Sequence, residues 1–163
     1  MLGITASGST PFVFGGLQKA NELGAITGLI SCNDVKKDAF IDYIIPLIVG
    51  PEVITGSTRM KAGTATKIVL NMISTISMIK LNKTYGNIMV DLNACNEKLW
   101  DRGTRIIMHF TDLKYDKAHR LLKSSYGEVK PALVMEKLNI NFKDAKNKLR
   151  DNDGSLFKVL NDE

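Results

Sequence analysis

Leu2-Gly3-Ile4-Thr5-Ala6-Ser7-Gly8-Ser9-Thr10-Pro11-Phe12-Val13 is the stretch on which the fold turns. A short apolar run, residues 2–6, is stopped by a cluster of Ser, Gly and Thr. Pro11 then stands where a helix begins, since its fixed φ and missing N–H suit the first turn. Phe12, Val13, Leu17 and Ala20 follow at roughly helical spacing, and Gly24 fits the position just past the helix end. The pattern predicts strand, hydroxyl-rich turn, helix. Residues 25–32 read as a second strand that ends at the turn pair Asn33-Asp34. Residues 41–49 form a third apolar run, which Pro46 demotes to an edge or a shorter piece. Strand, helix, strand, polar loop, strand predicts an α/β unit with a parallel sheet and helices on its faces.

From Met60 the period changes. Ala65, Val69, Met72, Ile76 and Ile79 recur every three or four residues and predict a long amphipathic helix, with Gly86 just past its end. Leu99, Ile106, Ile107 and Phe110 mark another helix. The tail contains a repeat: residues 115–133 align without a gap on 142–160, matching Ala118 to Ala145, Leu122 to Leu149, Gly127 to Gly154 and Leu133 to Leu160. Each copy reads as helix, Gly-centred turn, helix. Two copies are too few for a solenoid and predict a small bundle around Leu121, Leu122, Leu133, Val134, Leu138, Leu149 and Leu160.

Composition narrows the function classes. Hydrophobic residues make up 44% of the 163 and charged residues 24%, which is globular rather than disordered. The net charge of +5 divides into +2 over residues 1–93 and +3 over residues 94–163, with acids and bases interleaved. No basic block marks a nucleic-acid partner. No apolar run approaches the ~20 residues of a membrane span; the longest, residues 68–81, carries Asn71, Ser74, Thr75, Ser77 and Lys80. The first residues lack the pattern of a secretory signal. Cys32 and Cys95, outside any CxxC spacing, read as two buried free thiols in a reducing cytoplasm. His109 and His119 are not spaced as a metal-ligand pair, and no metal site is expected.

Chemistry is expected at two places. Ser7-Gly8-Ser9-Thr10 lies between a strand and a helix N-terminus, where α/β sheets bind ligands and where helix N–H groups favour phosphate. By itself, the same sequence also describes an ordinary Ser/Thr cap with a Gly in the turn. The second place is Gly50-Pro51-Glu52-Val53-Ile54-Thr55-Gly56-Ser57-Thr58-Arg59-Met60-Lys61-Ala62-Gly63-Thr64-Ala65-Thr66-Lys67. Arg59 and Lys61 near a helix start oppose the macrodipole unless an anion or carboxylate is close; Glu52 could be that carboxylate, or a base. The segment could equally be a solvated polar loop. Glu52, Ser57, Thr58, Arg59 and Lys61 are expected to gather at the cleft that holds Ser7, Gly8, Ser9 and Thr10.

That second segment resembles the signature of N-acetylmuramic acid 6-phosphate etherases, shared with glucokinase regulatory protein. Residues 3–11 resemble the family's second sugar-phosphate loop, and Ile30-Ser31-Cys32-Asn33 the strand end after it. Residues 85–91 and Asn96-Glu97-Lys98-Leu99 resemble the segment after the long helix. The tail resembles the small C-terminal helical domain of the bacterial enzymes. The resemblance implies the C-terminal portion of a sugar isomerase (SIS) domain over residues 1–93, then a helical connector and small helical domain over 94–163. It implies cleavage of the lactyl ether of N-acetylmuramic acid 6-phosphate to N-acetylglucosamine 6-phosphate and lactate, in cell-wall recycling, with no metal or nucleotide cofactor. Its partners would be a small-molecule phosphosugar and either a second copy or a separate N-terminal half. Two features depart from the family. The first phosphate loop and the two glutamates that serve the family as acid and base lie upstream of the matching region, so no catalytic residue is expected in this chain. Thr5 also stands where the enzymes often carry Ala. The other readings are a non-catalytic phosphosugar-binding regulatory module and a structural interaction module built from the tail.

Overall fold

In the computed structural model, which describes residues 1–161, the elements run β1 (Leu2–Thr5), α1 (Pro11–Glu22), β2 (Gly28–Ser31), β3 (Tyr43–Pro46), α2 (Lys61–Lys80), β4 (Thr84–Tyr85), β5 (Ile88–Met89), α3 (Glu97–Phe110), α4 (Tyr115–Ser124), α5 (Val129–Leu138), α6 (Phe142–Asp151) and α7 (Leu156–Asn161). The fold is α/β followed by an all-α region. The last two residues of the expected helical domain lie outside the described residues. Two compact units divide within α2, one covering Met1–Ser74 and the other beginning at Thr75.

In the first unit, β1, β2 and β3 pair in parallel in that order. Gly3 stands opposite Leu29 and Leu29 opposite Ile44, so these three share one face. Leu17 packs there with Leu29 and Ile41, joined by Val13, Phe14 and Ile44. On the other face Leu2 and Ile4 flank the buried Ile30 and are themselves largely exposed. β3 is an edge strand whose last residue is Pro46, as the proline requires. Thr27 ties the approach to β3: its N–H donates to Asp42 Oδ2 at 2.7 Å and its hydroxyl to the Phe40 carbonyl at 2.7 Å. The Thr27 amide and then its hydroxyl hold the Asp42 carboxyl below its ordinary range.

The long helix is confirmed but ends differently. Asn82, at φ 57°, takes the left-handed position after α2, and the Lys83 N–H returns to the Met78 carbonyl. Gly86 instead sits in the tight turn that lets β4 and β5 pair. Asn adopts this conformation more readily than other non-glycine residues, so it stopped the helix before the glycine did. Of the twenty residues in α2 only Ala62 is buried; Ile68, Met72, Ile76 and Ile79 are about half exposed. By length and composition alone α2 reaches the size of a membrane span, which the residue 68–81 run does not. Its polar positions, Thr64, Thr66, Asn71, Ser74, Thr75 and Ser77, make it an amphipathic rather than a uniformly apolar helix.

The repeat persists in the backbone of the second unit. Tyr126 and Gly127 take φ of 56° and 85°; their counterparts Asp153 and Gly154 take 55° and 70°. In both turns the glycine N–H reaches back five residues, to the Leu122 and Leu149 carbonyls. Ala118, Leu122, Val129 and Leu133 are fully buried, and their counterparts Ala145, Leu149 and Leu156 are buried with them. Leu121, Leu138 and Leu160 pack against this core from its edge. Of the two thiols expected to be buried, Cys32 is, whereas Cys95, just before the α3 cap, is exposed. Asn96 and Asn141 cap α3 and α6, each side-chain oxygen accepting an N–H three residues on at 3.0 Å.

Leu122→Ala is expected to destabilise the second unit by ~2–5 kcal/mol, through lost burial and the cavity left behind. Ile76→Ala, on the open face of α2, should change stability by no more than about 0.5 kcal/mol. Urea unfolding followed by circular dichroism compares the two.

Candidate functional site

The Ser7–Thr10 turn leaves the carboxyl end of β1 and enters α1. Thr5, the last residue of β1, is buried, and its hydroxyl meets Thr10 Oγ1 at 2.7 Å and Ser7 Oγ at 3.2 Å. Ser7 Oγ in turn accepts from the Ser9 N–H at 3.3 Å and the Ser9 hydroxyl at 3.2 Å. The four hydroxyls form one connected group. Because the Thr10 hydroxyl is turned to Thr5, it does not cap α1, although Thr10 occupies the cap position. The first-turn N–H groups are thus left without the side-chain acceptor that a Ser/Thr cap normally supplies. An ordinary cap, the simpler reading of this sequence, is not what the turn contains.

Gly8 is required here. It adopts φ +75°, and a Cβ would lie 2.4 Å from Val35 Cγ2 and 2.8 Å from Ser31 Oγ. The turn therefore lies flat on the end of β2. Asn33 fastens it, donating from Nδ2 to the Ala6 carbonyl at 2.9 Å and to the Ser7 carbonyl at 3.4 Å. The Asn33 N–H is itself held by Ser31 Oγ at 3.1 Å. Sequence reasoning placed Asn33 in a turn and did not include it at the site. The available signal was an amide residue directly after a buried strand end, facing the loop of the neighbouring strand.

Glu52 has a defined partner set. Its Oε2 accepts the Lys61 N–H at 3.0 Å and its Oε1 the Ala62 N–H at 3.1 Å. It caps α2 from nine residues upstream and supplies the carboxylate that the macrodipole needs beside Arg59 and Lys61. These two backbone N–H groups, Lys61 then Ala62, hold the Glu52 carboxyl below its ordinary range. An ionised carboxylate with both oxygens engaged is poorly suited to act as a base near neutrality. Arg59 is exposed and donates from Nη1 to Ser57 Oγ at 3.0 Å. Thr58 and Lys61 are exposed as well.

The two loops are linked through the end of β2. The Cys32 N–H donates to the Ala6 carbonyl at 3.2 Å, while its thiol lies 3.9 Å from the Ala62 carbonyl and 3.8 Å from Thr66 Oγ1. Ser7, Ser9 and Thr10 are joined through the Thr5 hydroxyl, with Gly8 in the same turn; Glu52 meets the Lys61 N–H at the start of α2, and Ser57 and Arg59 pair with each other. Cys32 bridges the groups. The Ser7–Thr10 turn offers hydroxyls at a helix start that has no side-chain cap, a setting that favours an anion.

Residues 86–151 match the family of the C-terminal lid domain of glucokinase regulatory protein. Over 161 residues the chain is 48% identical to the N-acetylmuramic acid 6-phosphate etherase of Staphylococcus saprophyticus, covering 98% of this chain and 55% of that protein. An N-acetylmuramic acid 6-phosphate etherase of Vibrio cholerae is likewise 48% identical over 161 residues, 98% of this chain and 52% of its own length. The etherase of Clostridium beijerinckii is 48% identical over 163 residues, 98% and 53% respectively. The chain thus spans about half the length of the curated relatives it matches.

The Glu52 cap predicts a pH dependence. A lowered folded pKa contributes stability above the unfolded value, near 4.5, and that contribution is lost as pH falls through the folded value. Glu52→Gln is expected to be less stable than the parent at pH 7, with the difference shrinking below about pH 4.5. Amide hydrogen exchange at Lys61 and Ala62, measured across that range, should accelerate in the variant at pH 7 and converge with the parent in acid.

Proposed function

From this match to the N-acetylmuramic acid 6-phosphate etherases along 98% of the chain, we propose that the polypeptide forms part of a carbon–oxygen lyase acting on a phosphorylated amino sugar. The reaction removes the lactyl ether of N-acetylmuramic acid 6-phosphate and, with water, gives N-acetylglucosamine 6-phosphate and lactate. The observation that carries this reading is the hydroxyl cluster of Ser7, Ser9 and Thr10 over an uncapped helix start. We assign phosphate binding to it, with Gly8 allowing close approach. Arg59 and Lys61 add positive charge, and Ser57 and Thr58 add hydroxyls. Glu52 fixes the start of α2 and with it the Lys61 backbone.

Elimination requires one group to take the C2 proton and another to protonate the departing lactate oxygen, and carboxyl groups of separated pKa suit the pair. In this reading neither lies within residues 1–163. Both would come from the part of the relatives that this chain does not match. Residues 1–93 would then complete a SIS domain, with residues 94–163 as its helical appendage, in the cytoplasm. The open edge of β1, with Leu2 and Ile4 exposed, and the apolar face of α2 are surfaces that an N-terminal half or a second copy would cover. A second reading, a non-catalytic phosphosugar-binding regulatory module, is favoured by the match of residues 86–151 to the regulatory protein's lid domain.

Lactate release from N-acetylmuramic acid 6-phosphate separates the readings. The 163-residue polypeptide alone is expected to release none, since loss of an acid–base group typically costs ~10²–10⁴-fold. Mixed with the N-terminal half of a relative, it should turn over, and Ser7→Ala/Ser9→Ala should abolish the gain. A mixture that binds phosphosugar without releasing lactate would support the regulatory reading instead. Turnover by the polypeptide alone would return Glu52 to consideration as a catalytic group.

A further inference from the structure

The cleft between α3 and α4 is part of neither loop site, and its walls are aromatic. It has a volume of about 670 Å³, within the range of small-ligand pockets. We propose that it binds the pyranose ring of an uncharged saccharide, seated against Trp100, Tyr115 and His119. The reading is independent of the phosphosugar assignment above.

The rings form a corner. Tyr115 and His119 are parallel to within 7°, with centroids 6.0 Å apart, and Trp100 meets His119 at 67° and 5.8 Å. The stacked pair with Trp100 set across it gives the cleft ring surface against which the C–H groups of a sugar can pack. Tyr115 is held in place. The Tyr115 hydroxyl donates to Asp101 Oδ1 at 3.0 Å, and Arg105 Nε donates to Asp101 Oδ2 at 2.8 Å. Arg105 first and Tyr115 second keep the Asp101 carboxyl below its ordinary range, so it is ionised near neutrality.

His119 is fixed in one tautomer. The Thr104 hydroxyl has a single proton, which goes to the Trp100 carbonyl at 2.8 Å. Thr104 Oγ1 therefore accepts from His119 Nδ1, 3.1 Å away. In the neutral ring Nδ1 carries the proton, and Nε2 keeps a lone pair free to accept from a ligand.

The rim decides the ligand's charge. Glu97 and Asp101 line the same cleft as Lys123. An anion such as phosphate meets the Glu97 carboxylate, Asp101 being paired with Arg105, and a cation meets the ammonium of Lys123. A neutral ligand rich in hydroxyls uses both kinds of group: donors to Glu97 and His119 Nε2, an acceptor for Lys123, with the Asn96 amide beside them. A sugar ring has these hydroxyls on its edge and C–H groups on its face.

Trp100 is the only tryptophan in the chain, so its fluorescence reports on the cleft. N-acetylglucosamine, glucose and inorganic phosphate are titrated separately into the full chain. A saturable change with at least one of the two sugars, with a Kd of about 1 mM, and none with phosphate is expected. Tyr115→Ala should weaken the response about fivefold or more. Tyr115→Phe, which keeps the ring, should retain it. Ser7→Ala/Ser9→Ala should leave it unchanged, which separates this cleft from the phosphate site. If Tyr115→Ala loses its helical circular dichroism, His119→Ala takes its place. The absence of a saturable sugar response, tighter binding of phosphate, or binding indifferent to both ring deletions would overturn the proposal.

Discussion

The parallel register of three short strands is the constraint on which the rest depends. Thr5, Ser31 and Pro46 stand in one row across the sheet, so the chain leaves all three strands on the same side. The ladder runs one step further on each side, through Cys32 N–H to the Ala6 carbonyl and Leu47 N–H to the Ser31 carbonyl at 2.7 Å. Three consequences share that edge: the hydroxyl turn after β1, the Asn33 turn after β2, and the loop after β3 that ends at Glu52 and α2. A slip of one residue would turn Thr5 and Ser31 to the opposite face and separate the groups that now touch.

Electrostatics follows from this placement rather than from net charge. The start of α2 carries Arg59 and Lys61, which a helix N-terminus disfavours. Glu52 offsets them through two backbone hydrogen bonds, and both cations remain exposed. On α1 the reverse holds. Pro11 has no N–H, the Val13 N–H goes to the Thr10 carbonyl at 3.0 Å, and the Thr10 hydroxyl is turned away to Thr5, so no side chain caps this helix start beside the hydroxyl cluster. One helix is capped from within the chain and the other is left open, a difference that favours an outside anion at α1.

Local signals were legible and long-range ones were not. Ser-Gly-Ser-Thr-Pro gave the strand-to-helix turn because each residue acts on its own backbone, and the tail repeat gave the paired turns because Gly127 and Gly154 both need positive φ. The end of α2 was misplaced at Gly86 because Asn82 can take the same conformation four residues earlier. The sequence around Glu52 fits a cap and a base alike, since nothing local ties a carboxylate to N–H groups nine residues on. The periodicity of Ala65, Val69, Met72, Ile76 and Ile79 showed a face but not what lies against it; within this chain most of that face stays open. Asn33 was passed over because its partners, Ala6 and Ser7, are distant in sequence.

We propose that the ends of these strands hold a phosphorylated amino sugar. Amide chemical shifts of the labelled chain, followed during titration with N-acetylglucosamine 6-phosphate, test it residue by residue. Saturable shifts concentrated at residues 7–10, Phe12 and Asn33, with smaller ones at residues 59–62, are expected. Shifts confined to other parts of the chain, or none at those amides with the protein folded, would contradict it.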